Sequence, residues 1–278
     1  MTLLHTLFLA ILQGASELFP VSSLGHAVVW PALLHWPLNE HAPGFLPFLV
    51  MLHLGTATAL LTFFWQDWWA LARGAVGLGS PHSVTESRRV LWLIMVATLP
   101  AVLVGFVLEH PLRRLFGAPM LVALMLVGNG ILLALVEKLR SQSPRKPLSA
   151  LSQTDALVIG AWQCLALIPG FSRSGATIAG GLLRGVDHEG AAHFSFLIAT
   201  PIILGATVLE VPKLLHHGVA PGLWRLALIG AVVAGLVAWA STAFLMHWFK
   251  RDDASRLTPF AVYCVLFGLG AFGFLVVT

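Results

Sequence analysis

The feature that most constrains this chain is a series of apolar runs about twenty residues long, the length that a helix needs to cross the hydrocarbon core of a bilayer. Runs of this kind occur near residues 45–65, 90–108, 119–136, 192–211, 223–246 and 258–277. Charged residues make up only 10% of the 278 residues, whereas a soluble domain carries about 25%. The sequence therefore predicts six membrane crossings and excludes a water-soluble protein.

Two further apolar regions are interrupted by proline or glycine. The run 3–19 stops at Pro20, the run 156–168 stops at Pro169 and Gly170, and each continues as a second short apolar piece. Proline and glycine break the hydrogen-bond ladder of a helix, and irregular backbone at membrane depth must be covered by protein or water. We therefore predict two re-entrant helical hairpins.

The two interrupted regions also resemble each other at a shift of 150 residues. Gln13, Ser22 and Gly25 recur as Gln163, Ser172 and Gly175, and Gly128-x-Gly130 resembles Gly268-x-Gly270 at a slightly shorter shift. Each half holds one hairpin and three crossings, so the second half must enter from the opposite side. We expect an all-α polytopic membrane protein with six transmembrane helices and two re-entrant hairpins in an inverted-topology repeat. It forms a single membrane domain, 1–278, with repeats at 1–138 and 153–278.

The basic residues predict an orientation. The topology puts eleven on one face, Arg73, Arg88, Arg89, Lys138, Arg140, Arg145, Lys146, Arg184, Lys250, Arg251 and Arg256, and four on the other, Arg113, Arg114, Lys213 and Arg225. The richer face is expected to be cytoplasmic, so the first hairpin enters from the outer face. Because these residues lie in short segments between apolar runs, we expect no nucleic acid partner. No basic residue precedes Arg73, so a cleaved signal peptide is not expected, and residues 77–87 are expected to form a polar loop.

The first hairpin carries an acidic side chain and two serines around its break. Its sequence from Gln13 to His26 is QGASELFPVSSLGH. Gln13 and Glu17 lie four residues apart on one helical face and can act on one ligand. After the break, Ser22 or Ser23 can cap the next half-helix, whose free amide groups form an anion site.

The second hairpin adds a fixed positive charge. Residues 169–177 read PGFSRSGAT, a break followed by hydroxyl residues at a helix start. The guanidinium of Arg173 keeps its charge and suits the geometry of phosphate. Because arginine inside an apolar region demands an anionic partner, we expect Arg173 and Glu17 to meet at one site.

These motifs resemble those of the undecaprenyl-diphosphate phosphatase family of bacitracin-resistance proteins. Its pattern is Glu or Gln, three residues, Glu, then Pro-x-Ser-Ser-x-Gly-His, with a later Pro-Gly-x-Ser-Arg-Ser-Gly. The resemblance implies hydrolysis of undecaprenyl diphosphate to undecaprenyl phosphate and inorganic phosphate, which recycles the carrier lipid for cell-wall synthesis. It also implies a place in the bacterial cytoplasmic membrane, an active site facing the outer side, and a divalent cation, Mg²⁺ or Ca²⁺.

Carried over residue by residue, the family's acidic motif falls on Gln13 and Glu17, which we expect to hold the metal. Position 13 is Gln where many members have Glu, which leaves one carboxylate fewer. The expected catalytic residues are Glu17, Ser23, His26 and Arg173, and the expected phosphate ligands are Ser22, Ser172, Arg173, Ser174 and Thr177. The nucleophile is Ser23 or water, and His26 is the expected general base, with Glu17 as the alternative.

Other functions and partners stay open at this point. Paired hairpins in an inverted repeat are also transporter architecture, so the chain could flip a polyprenyl phosphate or carry an anion. A second lipid-phosphatase superfamily fits less well, because no His-x-x-x-Asp follows Arg173 at the needed distance. His53, within the first crossing, could reach the site or bond a backbone carbonyl. The expected partners are the lipid substrate and membrane lipids, and a homodimer is left open.

Overall fold

The computed structural model describes residues 2–36, 45–115, 118–140, 146–216, 221–250 and 255–278. This part of the chain is helical and contains no β-strand. Its eleven α-helices are α1 (Leu3–Ser16), α2 (Ser23–Leu33), α3 (Phe45–Phe63), α4 (Trp65–Ala75), α5 (Pro81–Leu115), α6 (Pro119–Leu139), α7 (Gln153–Gln163), α8 (Arg173–Leu183), α9 (His188–His216), α10 (Pro221–Lys250) and α11 (Thr258–Val277). The predicted all-α class is confirmed.

Five of the six predicted crossings each fall within one long helix, whereas the run 45–65 covers α3, Phe64 and the first residue of α4. In the described ranges, α5, α6, α9, α10 and α11 are each long and apolar enough to cross a bilayer. The sixth candidate combines most of α3 with α4, which turns away from it by 77°. Their outward side chains are largely apolar and exposed, Phe106, Leu236 and Leu266 among them. This is the surface of a polytopic membrane protein.

The segment between the first two crossings differs from the prediction. Residues 77–87 were expected to form a loop, but α5 begins at Pro81. The Ser80 hydroxyl accepts a hydrogen bond from the Ser83 amide at 3.2 Å, and proline suits the first turn of a helix. The eleven-residue helix α4 was not predicted, because its mixed polar and aromatic sequence forms no apolar run. It packs against α5, with Gly74 beside Ser87.

The two interrupted regions form the predicted pairs of short helices. The helices α1 and α2 have 14 and 11 residues, and α7 and α8 have 11 each. At about 1.5 Å per residue, each is shorter than the roughly 30 Å of the hydrocarbon core. The capping residues repeat at the 150-residue shift, since Ser22 and Ser172 each accept a hydrogen bond from the amide of the glycine three residues later.

Contacts between the halves are reciprocal. A Cβ atom added to Gly130 of α6 would lie 2.6 Å from the Ala261 carbonyl oxygen of α11, and one added to Gly268 of α11 would lie 2.7 Å from the Ala123 carbonyl oxygen of α6. The contacts therefore match Gly130 with Gly268, whereas the sequence comparison matched Gly130 with Gly270. Likewise, α1 packs against α10 and α7 against α5. The inverted topology and the repeat boundaries 1–138 and 153–278 stay predictions.

Several basic residues lie together at one end of the helices. Lys146 and Arg184 contact the two carboxylate oxygens of Asp155 at 2.8 and 2.7 Å. Arg89 donates a hydrogen bond to the Leu151 carbonyl oxygen nearby. At the C-terminal end of α6, Arg140 contacts Glu137 at 3.0 Å. Arg145 and Arg251 lie outside the described residues, and the cytoplasmic assignment of this end stays a prediction.

The close approach of α6 and α11 predicts a steric effect on stability. We expect Gly130→Ala to lower the thermal unfolding midpoint in detergent, because the added methyl group meets backbone and overpacking costs about 1–3 kcal/mol. Gly270→Ala is the matched control, since a Cβ atom there meets nothing within 4 Å. Intrinsic tryptophan fluorescence follows the transition. Equal midpoints for the two variants would contradict the packing described for Gly130.

Candidate active site

A cavity of about 250 Å³ lies between the two hairpins and helices α3, α5 and α9. One part of its wall is polar and is formed by Glu17, Ser22, Ser23, His53, Gln163, Ser172 and Arg173. The rest is apolar and is formed by Leu24, Leu49, Val50, Ala101, Ala166, Leu167, Phe171, Ile202, Ile203 and Ala206. The cavity therefore offers a charged end and an oily surface to the same ligand.

Glu17, immediately after α1, is the centre of the polar part. Its Oε2 atom accepts hydrogen bonds from Ser23 Oγ at 2.5 Å and from Gln13 Nε2 at 3.0 Å, and it lies 3.5 Å from His53 Nε2. Its Oε1 atom lies 3.3 Å from Arg173 Nη2. The side chain is buried, so these partners, rather than water, define its position.

Arg173 is the first residue of α8 and faces Glu17 across the gap between the hairpins. Besides the contact with Glu17, its Nη1 atom donates a hydrogen bond to the Ser195 carbonyl oxygen of α9 at 3.2 Å. Its Nε atom is buried and has no hydrogen-bond partner in the described part of the chain. One donor of the guanidinium is thus left for a ligand.

The two breaks are joined by hydrogen bonds through one buried amide and two hydroxyls. Asn129, buried in α6, donates a hydrogen bond to the Pro20 carbonyl oxygen at 3.0 Å and accepts one from the Ser172 amide at 3.0 Å. The hydroxyls of Ser172 and Ser174 both donate to the Phe19 carbonyl oxygen. Backbone groups that the breaks remove from helical hydrogen bonds are therefore satisfied across the hairpins, as burial requires.

The comparisons with known proteins agree with one another. The family model described as bacitracin resistance protein BacA matches residues 6–270. The undecaprenyl-diphosphatase of Granulibacter bethesdensis is 59% identical over 287 residues, covering 99% of this chain and 97% of that protein. Those of Acidiphilium cryptum and Gluconobacter oxydans are 55% and 54% identical, covering 96% and 98% of both partners respectively.

The chain belongs to the BacA family. The matched range contains both breaks, all but the first three residues of α1, and every residue of the polar wall. The family resemblance in the two motifs is thereby confirmed over nearly the whole chain.

Within this BacA chain, the predicted phosphate ligands separate into two groups. Ser22, Ser172 and Arg173 line the cavity. Ser174 and Thr177 do not: Ser174 bonds the first hairpin, and the Thr177 hydroxyl lies 2.6 Å from Ser195 Oγ and donates to the Arg173 carbonyl oxygen at 2.8 Å. These two hydroxyls hold the start of α8 in place.

His26 was expected to act as the general base beside Ser23 in this BacA chain, but its ring nitrogens contact other groups. Its Nδ1 atom lies 2.7 Å from the Ser22 carbonyl oxygen and its Nε2 atom 2.7 Å from the Tyr263 hydroxyl. Its ring stacks with Tyr263 and Phe267 of α11. The spacing of three residues does place His26 near the Ser23 side of α2, but the ring turns toward α11. The carboxylate that accepts a hydrogen bond from Ser23 is Glu17, the alternative base of the sequence analysis.

The predicted metal ligands also differ in position. Glu17 reaches the cavity, and Gln13 lies outside its lining and donates to Glu17. Among the described residues, no three His, Cys, Asp or Glu side chains are grouped as a complete metal site. Mg²⁺ is commonly held by one or two carboxylates together with substrate phosphates and water. The single carboxylate of Glu17 therefore fits such an ion if an anionic ligand supplies further oxygens.

Four neighbours of this BacA-family site were not among the predicted site residues, namely His53, Asn129, Gln163 and Ser195. His53 stood out as a histidine within an apolar run, with its role left open. Gln163 was noted only as the repeat counterpart of Gln13. Asn129 is the one amide in its span, and a polar side chain there is a recognisable signal of interhelical bonding. Ser195 acts mainly through its backbone carbonyl, which no sequence pattern identifies.

The Asn129 bridge predicts a joint loss of stability and activity. Asn129→Leu keeps the approximate volume but leaves the Ser172 amide unpaired and the Pro20 carbonyl with only a weak Cys264 thiol contact at 3.9 Å. A buried polar group that loses its partner costs about 1–3 kcal/mol. We expect a lower unfolding midpoint and a lower rate of phosphate release. Ile131→Leu, at an exposed position of the same helix, is the control. A midpoint for Asn129→Leu equal to that of the control would contradict the bridging role.

Proposed function

We propose that this BacA-family membrane enzyme removes the terminal phosphate of undecaprenyl diphosphate, giving undecaprenyl phosphate and inorganic phosphate. The observation that carries the proposal is the cluster of Glu17, Ser23 and Arg173 in a cavity whose remaining wall is apolar. A nucleophile, a base and a fixed cation meet there. The relatives named undecaprenyl-diphosphatase support the same reaction.

The substrate's two parts suit the two kinds of wall. The diphosphate accepts hydrogen bonds from Arg173 and lies at the amino-terminal ends of α2 and α8, where helix dipoles and amide groups favour anions. The first part of the prenyl chain lies along the apolar wall, with Leu24 and Phe171 beside it. The rest of the chain extends into lipid.

The chemistry begins at Ser23. Its hydroxyl transfers a proton to Glu17 and its oxygen attacks the terminal phosphorus, so that a Ser23–phosphorus bond forms as the bridging phosphorus–oxygen bond breaks. Undecaprenyl phosphate leaves. Glu17 gives its first proton to the departing undecaprenyl phosphate. It then takes a proton from a water molecule, whose oxygen attacks the phosphorus, and returns that proton to Ser23 Oγ as the bond between Ser23 Oγ and phosphorus breaks and phosphate leaves. Arg173 stabilises the charge that develops on the phosphoryl oxygens in both steps.

A divalent cation, Mg²⁺ or Ca²⁺, belongs to this proposal. The Glu17 carboxylate, oriented by Gln13, would hold it together with oxygens of the diphosphate. When bound, the ion supplies charge neutralisation at the diphosphate. His53, 3.5 Å from Glu17, contributes to orienting the same carboxylate.

The cellular setting follows from the orientation predicted by the basic residues. In the bacterial cytoplasmic membrane, with the basic end in the cytoplasm, the first hairpin enters from the outer face and the site receives substrate from that side. The reaction then recycles the carrier lipid of cell-wall synthesis. All the side chains named in the chemistry belong to one chain, so the proposal does not depend on a homodimer.

Phosphate release in detergent distinguishes a phosphatase from a transporter or flippase, since micelles have no second compartment. We expect purified protein with Mg²⁺ to release inorganic phosphate from undecaprenyl and farnesyl diphosphate. Arg173→Ala should lower kcat/KM at least about 100-fold, the size of effect seen when a transition-state donor is removed. Arg88→Ala, an exposed arginine of α5, is the control. Wild-type protein that moves polyprenyl phosphate across vesicles without releasing phosphate would favour the flippase instead.

Serine attack has a distinct signature. With prenyl diphosphate labelled by ³²P at the terminal phosphate, acid quenching during turnover should trap label on the wild-type chain and none on Ser23→Ala. Ser80→Ala, a serine far from the cavity, should trap as much label as wild type. If Ser23→Ala keeps most of the activity, water is the nucleophile and the serine step is wrong.

A further inference from the structure

One polar atom of the cavity is left unused by the mechanism above. Gln163 is the last residue of α7, is 2% exposed and lines the cavity. Its Nε2 atom donates a hydrogen bond to the Ala97 carbonyl oxygen of α5 at 3.2 Å. Its Oε1 atom is buried and has no partner in the described ranges of the chain.

The orientation of this amide is fixed by its neighbour. A carbonyl oxygen such as that of Ala97 accepts hydrogen bonds and cannot donate them, so the NH₂ group must face α5 and the oxygen must face away from it. Leaving a buried acceptor without a partner costs about 1–3 kcal/mol. An acceptor held in this way, in the wall of a cavity, indicates a ligand that brings a hydrogen donor or a cation.

The cavity contains a second unpaired atom of opposite character. Within the described segments, Arg173 Nε has no acceptor and Gln163 Oε1 has no donor. A diphosphate anion alone satisfies only the arginine. A diphosphate that carries a divalent cation satisfies both, because amide oxygens are ordinary ligands of Mg²⁺ and Ca²⁺.

A cation bound by the Glu17 carboxylate would need further oxygen ligands. Among the described residues, Glu17 is the only acidic side chain lining the cavity, and its two oxygens already contact Gln13, Ser23, His53 and Arg173. A cation held by this carboxylate and by phosphate oxygens still requires neutral oxygen ligands to complete its shell. Gln163 offers one from the opposite hairpin.

We propose that Gln163 is a ligand of the divalent cation that accompanies the diphosphate, directly or through one metal-bound water. The inference rests on the proposed function and extends it, since the sequence motif assigns the cation to the first hairpin alone. The second hairpin then binds both parts of the ligand, because Arg173 contacts the phosphate and Gln163 contacts the metal.

Two substitutions separate a metal ligand from a structural tether. Gln163→Met and Gln163→Glu both lose the hydrogen-bond donor to Ala97, but only the glutamate keeps an oxygen for a cation. The measurement is the thermal midpoint in detergent as Mg²⁺ is titrated at saturating farnesyl methylenediphosphonate, a non-hydrolysable analogue. The readout is the Mg²⁺ concentration that gives half of the maximal shift, so it does not depend on turnover.

We expect Gln163→Met to raise this concentration about 10-fold or more, the usual cost of disturbing the shell of a bound metal, and Gln163→Glu to restore it to the wild-type value or below. Gln153→Met, an exposed glutamine of the same helix, should behave as wild type. If the half-maximal Mg²⁺ concentration of Gln163→Met equals that of wild type, the proposal is wrong and only water binds Gln163 Oε1. An equal rise of this concentration in Gln163→Met and Gln163→Glu also overturns the proposal, because loss of the hydrogen bond to Ala97 then explains both effects.

Phosphate release by the wild-type protein keeps the two hypotheses apart. If wild type hydrolyses farnesyl diphosphate and the Gln163 variants keep its Mg²⁺ dependence, only the ligand role of Gln163 fails. If wild type hydrolyses the diphosphate equally well in a chelator, the ligand role fails and the phosphatase stands. If wild type releases no phosphate under any of these conditions, the proposed function fails, and the inference fails with it.

Discussion

The site depends on one contact, the pairing of the Glu17 carboxylate with the Arg173 guanidinium across the gap between two broken helices. A single charged side chain at the centre of a bilayer costs about 2.5–3.5 kcal/mol on insertion scales, and a buried charge that loses its partner destabilises a protein further. At 3.3 Å each group compensates the other. One guanidinium nitrogen also has no partner among the residues that the structure describes, and this combination favours an anionic ligand.

That contact exists only because both helices stop where they do. Breaks at Pro20 and Gly170 free backbone groups that no lipid could satisfy, and Asn129 and the hydroxyls of the second hairpin satisfy them. The same breaks create two helix starts, capped alike by Ser22 and Ser172. Stability and function therefore rest on the same irregular backbone.

The two hairpins contribute different side chains to the polar wall of the cavity. At the 150-residue shift, Glu17 corresponds to Leu167, and Ser23 corresponds to Arg173. The first copy keeps the acid and the hydroxyl that contacts it, and the second keeps the cation. Gln13 and Gln163 are the same residue in both, yet one supports Glu17 and the other lines the cavity. Two similar hairpins thus present different side chains to one cavity.

Much of this arrangement could be predicted from the sequence, because bilayer thickness and backbone hydrogen bonding act on local patterns. The six long helices, the two breaks and their serine caps follow from apolar runs, proline and glycine. The meeting of Glu17 with Arg173 follows from the cost of burying either charge alone.

The direction of individual side chains does not follow from the sequence in this way. Ser22 takes a φ of 68°, so α2 leaves its break at an angle that residue spacing does not encode, and His26 turns to Tyr263. The roles of Asn129 and Ser195 depend on contacts between distant segments.

A double-mutant cycle on stability tests the central contact most directly. The unfolding midpoint in detergent is measured for wild type, Glu17→Gln, Arg173→Gln and the double variant, with no substrate present. Residues in contact show coupling of about 0.5–3 kcal/mol, whereas independent sites add within about 0.5 kcal/mol. The account predicts that the double variant unfolds no earlier than Arg173→Gln, because removing the carboxylate relieves the charge that the single change leaves unpaired. If the losses of stability in the two single variants simply add up in the double variant, Glu17 and Arg173 do not interact, and the central contact is wrong.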